Sequence, residues 1–156
     1  MELYFLRHGI AEDVGPEGAG DAGRRLTKEG IAKMKDAARG LKRIGVRLDV
    51  LLTSPLARAH QTAEIVAREL GVELRLADAL SPGCNVALLF ELLGEHRAAE
   101  RVMVVGHEPD FSTMIAALAG GGRIQLKKGG LARIDLEVLE AGGTLVWLLP
   151  PKVLRG

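Results

Sequence analysis

The sequence predicts a three-layer α/β sandwich, a mostly parallel mixed sheet flanked by helices. Three observations carry that prediction. Short apolar runs such as Leu3-Tyr4-Phe5-Leu6 and Val102-Met103-Val104-Val105 fit strands buried on both faces. These runs alternate with segments whose apolar residues recur at helical spacing, the pattern of parallel strands linked by helices. The last two strand candidates are joined by a short glycine-containing turn and should pair antiparallel.

In order, the first strand covers Leu3 to Leu6 and stops at Arg7-His8-Gly9. The glycine- and acid-rich stretch from Ile10 to Gly23 reads as a loop. Ile31, Met34, Ala38 and Leu41 then give one face of a helix, with Thr27 as its N-cap and Gly45 as its stop. Val50 to Thr53 is a second buried strand. Ser54-Pro55 ends it and is expected to open the next helix, Ser as N-cap and Pro at the first position. Ala59, Ala63, Val66 and Leu70 form that helix's inner stripe, and Gly71 closes it. Val72 to Leu76 fits a short third strand, followed by a loop from Ala77 to Asn85 and a helix from Val86 to Leu93. Arg101 to Val105 is the fourth strand and ends at Gly106-His107. A helix from Asp110 to Ala119 breaks at Gly120-Gly121-Gly122. Strands from Leu131 to Leu139 and Thr144 to Leu149 complete the chain, with Ala141-Gly142-Gly143 as a hairpin turn.

Composition narrows the function. A chain of 156 residues fits one domain over 1–156, long enough for a real core. With 21 basic and 20 acidic residues, nothing marks it for nucleic acid or a membrane surface, although a local basic pocket stays open. Aromatics are 3%, a poor supply of stacking platforms. The single cysteine, Cys84, excludes an internal disulfide and any multi-cysteine zinc site. The apolar runs are too short to span a bilayer. Met1-Glu2 starts no signal pattern, so the expected location is the cytoplasm.

In parallel sheets, sites form at the carboxyl ends of strands. The first strand delivers Arg7-His8-Gly9 there. The second delivers Ser54-Pro55, with Arg58 shortly after, and the fourth delivers Gly106-His107. Two arginines and two histidines would thus share one edge, an unfavourable crowding of cationic donors unless an anion binds. A tetrahedral phosphoryl group fits. Arginine offers it planar, paired donors, and helix N-termini add backbone N–H groups. A neutral histidine can attack phosphorus while its other ring nitrogen donates to a carbonyl.

Each piece alone has a plainer reading: His8 as a satisfied loop histidine, Arg58 as a solvated helix side chain, His107 as a helix cap. It is their joint placement on strand ends that points to chemistry. His60 and His96 lack that placement and read as helix-surface and loop residues. A metal held by His8 and His107 with Asp13, Asp21, Glu108 or Asp110 is the competing reading. No histidine pair has a tight ligand spacing, however, and Arg7 and Arg58 would repel a dication. Neither G-x-G-x-x-G nor a Walker pattern is present among the glycines. Lys127-Lys128 reads as a solvated turn, or as part of a rim for an acidic partner.

Taken together, these residues resemble the histidine phosphatase superfamily, also called the phosphoglycerate mutase-like superfamily. Leu6-Arg7-His8-Gly9 resembles its signature around the phosphorylated histidine. Thr53 to Ala63 resembles its S-P-x-x-R-A-x-x-T-A segment, and Val104 to Pro109 its G-H-x-P element. The stretch Asp21 to Gly30, the Leu80-Ser81-Pro82 loop and Leu126 to Ala132 are most similar to the small SixA-type phosphohistidine phosphatases. The resemblance implies a phosphoglycerate mutase-like fold and a reaction without cofactor or metal. It implies His8 as the nucleophile, and Arg7, Arg58 and His107 as the clamp on the phosphoryl oxygens. Arg24 would be an extra substrate contact. Many phosphomonoesterases and mutases of the superfamily carry a glutamate proton donor in an L-x-E context after the third strand. Here that stretch is Leu80-Ser81-Pro82, and nearby Asp78 reads as a solvated loop residue.

The leading expectation is a phosphatase acting on phosphohistidine in a protein. The alternatives are a phosphatase for a small phosphorylated metabolite or sugar, and a phosphate-binding module without turnover. A binding module needs donors but no nucleophile, so an intact His8 argues against it. The absence of a long lid-like insertion suits a protein-borne phosphoryl group, whereas a small ester would gain from closure.

Overall fold

Successive residues of a strand face opposite sides of its sheet, and β1 (Glu2–Arg7) sends Leu3 and Phe5 into one core and Tyr4 and Leu6 into another. The computed structural model, which describes all 156 residues, is built on this division. One core lies between the sheet and α3 (Val86–Gly94) with α4 (Asp110–Leu118). The other lies between the sheet and α1 (Lys28–Arg43), α2 (Ala57–Leu70) and α5 (Pro151–Arg155). The remaining strands are β2 (Val50–Thr53), β3 (Leu74–Leu76), β4 (Arg101–Gly106), β5 (Leu131–Asp135) and β6 (Thr144–Leu149). Their order is β3-β2-β4-β1-β5-β6. All neighbours are parallel except β5, which runs against both β1 and β6. This is the expected mixed, mostly parallel sheet between helical layers.

Several boundaries differ from the sequence expectation, each for a physical reason. Thr27 does cap α1, its hydroxyl accepting from Gly30 N at 2.9 Å. Ser54 and Pro55, however, do not open α2. Ser54 N still donates to Val105 O on the sheet (3.0 Å), so the helix starts only at Ala57. Gly71 ends that helix at φ 66°, in the left-handed region that favours glycine. β5 stops at Asp135 rather than Leu139, because its partner β1 runs out where Glu2 pairs with Asp135. The chain then turns inward, burying Leu136 and Leu139 through a 3-10 turn at Leu139–Ala141, so no tight hairpin forms. β3 is held to three residues by the length of β2 that pairs with it. The loop after β1 contains a further 3-10 turn, Asp21–Gly23.

α5 has no counterpart among the expected elements, being too short to show helical periodicity. Its Leu154 is buried, and Arg43 Nη2 donates to Leu154 O at 3.1 Å. Gly40 makes this docking possible, since a Cβ there would lie 1.6 Å from that same carbonyl oxygen. No helix is long and apolar enough to cross a membrane.

Candidate active site

The strand order sets β2, β4 and β1 side by side, so their carboxyl ends deliver Ser54, His107 and Arg7-His8 to one place. Backbone bonds from His8 N to Gly106 O (3.1 Å) and from Ser54 N to Val105 O carry the register past the strand ends. The rings of His8 and His107 stand with centroids 5.4 Å apart, and both are buried.

His8 Nδ1 lies 2.7 Å from Gly9 O. A carbonyl only accepts, so Nδ1 carries the proton and Nε2 keeps a free lone pair. Burial drives His8 down to about 3. The bond to Gly9 opposes that shift, while His107, Arg58 and Arg7 reinforce it. The ring is therefore neutral at physiological pH. Gly9 is itself fixed, its N–H donating to Thr62 Oγ1 at 3.0 Å while that hydroxyl donates to Arg58 O at 2.7 Å.

His107 Nε2 lies 2.7 Å from Ser54 Oγ, and that oxygen also accepts from Leu56 N at 3.2 Å. The other ring nitrogen of His107, Nδ1, is buried without a hydrogen-bond partner, and so is Arg7 Nε. Arg7 is anchored from its other side by Nη1 donating to Leu126 O (3.0 Å). Burial lowers His107 to about 4, with Arg58 acting in the same direction. Two buried polar nitrogens without partners, close to the Arg58 guanidinium, form a site that an anion would complete, because buried polar groups without partners are costly.

Arg58 is buried in the first turn of α2 and donates to Asp21 O (2.9 Å) and Asp21 Oδ2 (3.1 Å). Arg24 is more open. Its Nη1 pairs with Asp21 Oδ1 at 2.9 Å and its Nε donates to Glu12 O at 2.6 Å. The Asp21 carboxylate is held below its ordinary range by Arg24 first and by Arg58. Asp21 thus bridges the two arginines instead of serving as the oxygen ligand weighed in the metal reading. No three His, Cys, Asp or Glu side chains gather as a metal-binding group. His60 lies on α2 with Glu64 3.8 Å away, and Asp78 is exposed beside the Leu80-Ser81-Pro82 turn.

Sequence reasoning expected a carbonyl for the His8 ring without identifying Gly9, and it missed three supports of this site: Ser54 as partner of His107, Thr62 as the link between Gly9 and Arg58, and the carbonyl of Leu126. Thr62 had a usable signal, a hydroxyl next to Ala63 in the buried stripe and one helical turn after Arg58. The two carbonyls had none.

The depressed histidines make stability depend on pH. Between about 6.5 and the folded values of about 3 and 4, unfolded chains bind protons that the folded chain refuses. Stability is therefore full above pH 6.5 and is expected to fall on acidification through that window. Each histidine adds a slope of up to about 1.4 kcal/mol per pH unit. Urea denaturation at pH 7.5 and pH 5 should show this loss, and His8→Asn should reduce it. An equal loss in the variant would mean that His8 is not withheld from protonation.

Residues 3–81 match the family model described as the histidine phosphatase superfamily, branch 1. The chain is 39% identical to an uncharacterized protein of Picosynechococcus sp., over 84% of this chain and 82% of that protein. It is 29% identical to the phosphohistidine phosphatase SixA of Escherichia coli, over 99% of this chain and 97% of that protein. A solved structure of the protein histidine phosphatase SixA complexed with tungstate superposes with a TM-score of 0.87 at 28% identity, covering 99% of each chain.

Proposed function

This chain belongs to the histidine phosphatase superfamily, branch 1, and from that premise we propose that it removes phosphoryl groups from protein phosphohistidine with His8 as nucleophile. The observation that carries the role of His8 is its fixed tautomer: a buried, neutral ring with Nδ1–H on Gly9 O and Nε2 unprotonated. In the first step Nε2 attacks phosphorus and the bond from phosphorus to the substrate's leaving atom breaks. The phosphorylated ring is cationic, and Gly9 O accepts from its Nδ1–H. Water then attacks phosphorus, the P–Nε2 bond breaks, and inorganic phosphate leaves with His8 restored. Arg7 Nε–H, the Arg58 guanidinium and His107 Nδ1–H donate to the three phosphoryl oxygens, whose charge they stabilise from fixed positions. Arg24, tied to Arg58 through Asp21, stands at the edge as a further contact for substrate.

Two features favour a protein-borne phosphoryl group. The stretch Leu80-Ser81-Pro82 supplies no carboxylate, and the similarity to SixA extends over nearly all of both chains. The decisive test assays the purified protein side by side on a phosphohistidine-bearing protein and on a panel of phosphomonoesters, with chelator present. Rapid release of phosphate from the protein substrate, undiminished by chelator, is expected. Hydrolysis confined to a small ester would overturn the substrate, and activity lost to chelator and restored by a divalent metal would overturn the mechanism.

Arg7→Ala and Arg58→Ala are each expected to lower kcat/KM by about a hundredfold or more, the scale of one preorganised donor to transition-state charge. Steady-state assays on an aryl phosphate measure this directly. Rates within a few-fold of the parent would remove that arginine from the clamp.

A further inference from the structure

The Lys127-Lys128 pair, unused in the scheme at His8, lines a cavity that also takes in Arg7 and Gly9. This cavity, about 440 Å³, lies among α1, α5 and the turn ending at Gly129. Six cationic residues line it: Arg7, Lys33, Lys127, Lys128, Lys152 and Arg155. They arrive from four separate stretches of the chain, and no acidic residue lines the cavity. In a chain of 21 basic and 20 acidic residues, such a gathering does not follow from composition.

Partners for these charges are scarce. Lys33 pairs with Glu29 at 2.6 Å, outside the lining. Lys127, Lys128, Lys152 and Arg155 enter no ion pair. Like charges gathered around one concavity, even with Lys127, Lys128 and Lys152 exposed, raise the local concentration of anions there. The volume is that of a small-molecule site rather than an extended surface. A single phosphate, at about two negative charges, would leave most of these cations unmatched, whereas a chain of phosphates would not. Ile10, Pro150 and Pro151 give the cavity accessible apolar surface for an organic group.

We infer that this cavity is a second anion site, adjoining the one at His8 and sharing Arg7 with it, for a small molecule carrying two or more phosphates. Arg7 and Gly9 border both, whereas His8, Arg58 and His107 do not line it. The two sites are nonetheless neighbours, since Gly129 N donates to both Arg7 O (3.1 Å) and His8 O (3.0 Å). The inference does not depend on the substrate proposed above.

Calorimetric titration tests it, with the intact protein first saturated with tungstate to occupy the site at His8. Tripolyphosphate and a nucleoside triphosphate serve as separate probes. One equivalent of at least one probe is expected to bind. The double variant Lys152→Gln/Arg155→Gln, and independently Lys128→Gln, should weaken that binding about tenfold or more, the scale of one lost charge-assisted contact. Aryl phosphate turnover should be unchanged in these variants, which also verifies that they fold. Tighter binding of the nucleoside triphosphate assigns the site to organic phosphates, and equal or weaker binding assigns it to the phosphate chain alone. Absence of binding by both probes in the presence of tungstate, or undiminished binding in the variants, overturns the second site while leaving the role of His8 intact.

Discussion

Replacing His8 with alanine is expected to abolish turnover while leaving a weak anion site behind. The other imidazole of the site, His107, has its Nε2 engaged with Ser54 Oγ. The loss should reach about 10⁴-fold or more, the scale seen when a covalent nucleophile is removed and only binding groups remain. Arg7, Arg58 and His107 survive the substitution, so tungstate should still bind, less tightly than to the parent. Rapid quenching of the parent with labelled substrate should trap acid-labile phosphate on His8. The tautomer further specifies the nitrogen, because Nδ1 is committed to Gly9 O and the phosphoryl group must ride on Nε2. Phosphorus NMR of the trapped protein distinguishes the two positions. Near-normal turnover in His8→Ala, or phosphate on another residue, would end the nucleophile assignment.

Much of this site was legible because its residues sit where strands end, and strand ends are marked in the sequence by a change from apolar runs to Arg7-His8-Gly9, Ser54-Pro55 and Gly106-His107. Parallel pairing of β1, β4 and β2 does the rest, since it aligns those endings without any long-range signal. What the sequence hid are interactions made by atoms that every residue possesses. The carbonyl of Gly9 sets the His8 tautomer and the carbonyl of Leu126 holds Arg7, and no side-chain pattern encodes either. Ser54 was hidden differently. A serine before a proline at a strand end is an ordinary helix-opening signal, and that signal masked its use as partner of His107. Asp21 lay in a glycine-rich stretch without periodicity, so its bridge between Arg24 and Arg58 depends on a fold of the loop that only tertiary contacts define.

If no side chain replaces the loop glutamate at Leu80-Ser81-Pro82, the leaving group should come under a steep preference. Expelling an alkoxide at neutral pH needs a proton in the transition state, and a positioned acid contributes about 10²–10⁴-fold to such a step. In the loop where relatives of the superfamily would place that acid, Leu80 is buried in the core and Ser81 and Pro82 carry no carboxyl group. Asp78 is exposed, and its backbone oxygen accepts from Ser81 N. Imidazole is a different leaving group, because its conjugate acid has a pKa of about 6.5 and its second nitrogen can hold the proton. Phosphohistidine, other phosphoramidates and activated aryl phosphates should therefore be cleaved faster than alkyl phosphates by about 10²–10⁴-fold in kcat/KM, the same span the missing acid would have supplied. Asp78→Asn should leave phosphohistidine turnover nearly unchanged. Pro82→Glu, which places a carboxyl group in the vacant part of the loop, should raise alkyl phosphate hydrolysis selectively if the backbone keeps its course. Comparable rates on alkyl phosphate and phosphohistidine in the parent would refute the preference. So would loss of both activities in a folded Asp78→Asn protein, because that carboxyl group would then be the acid.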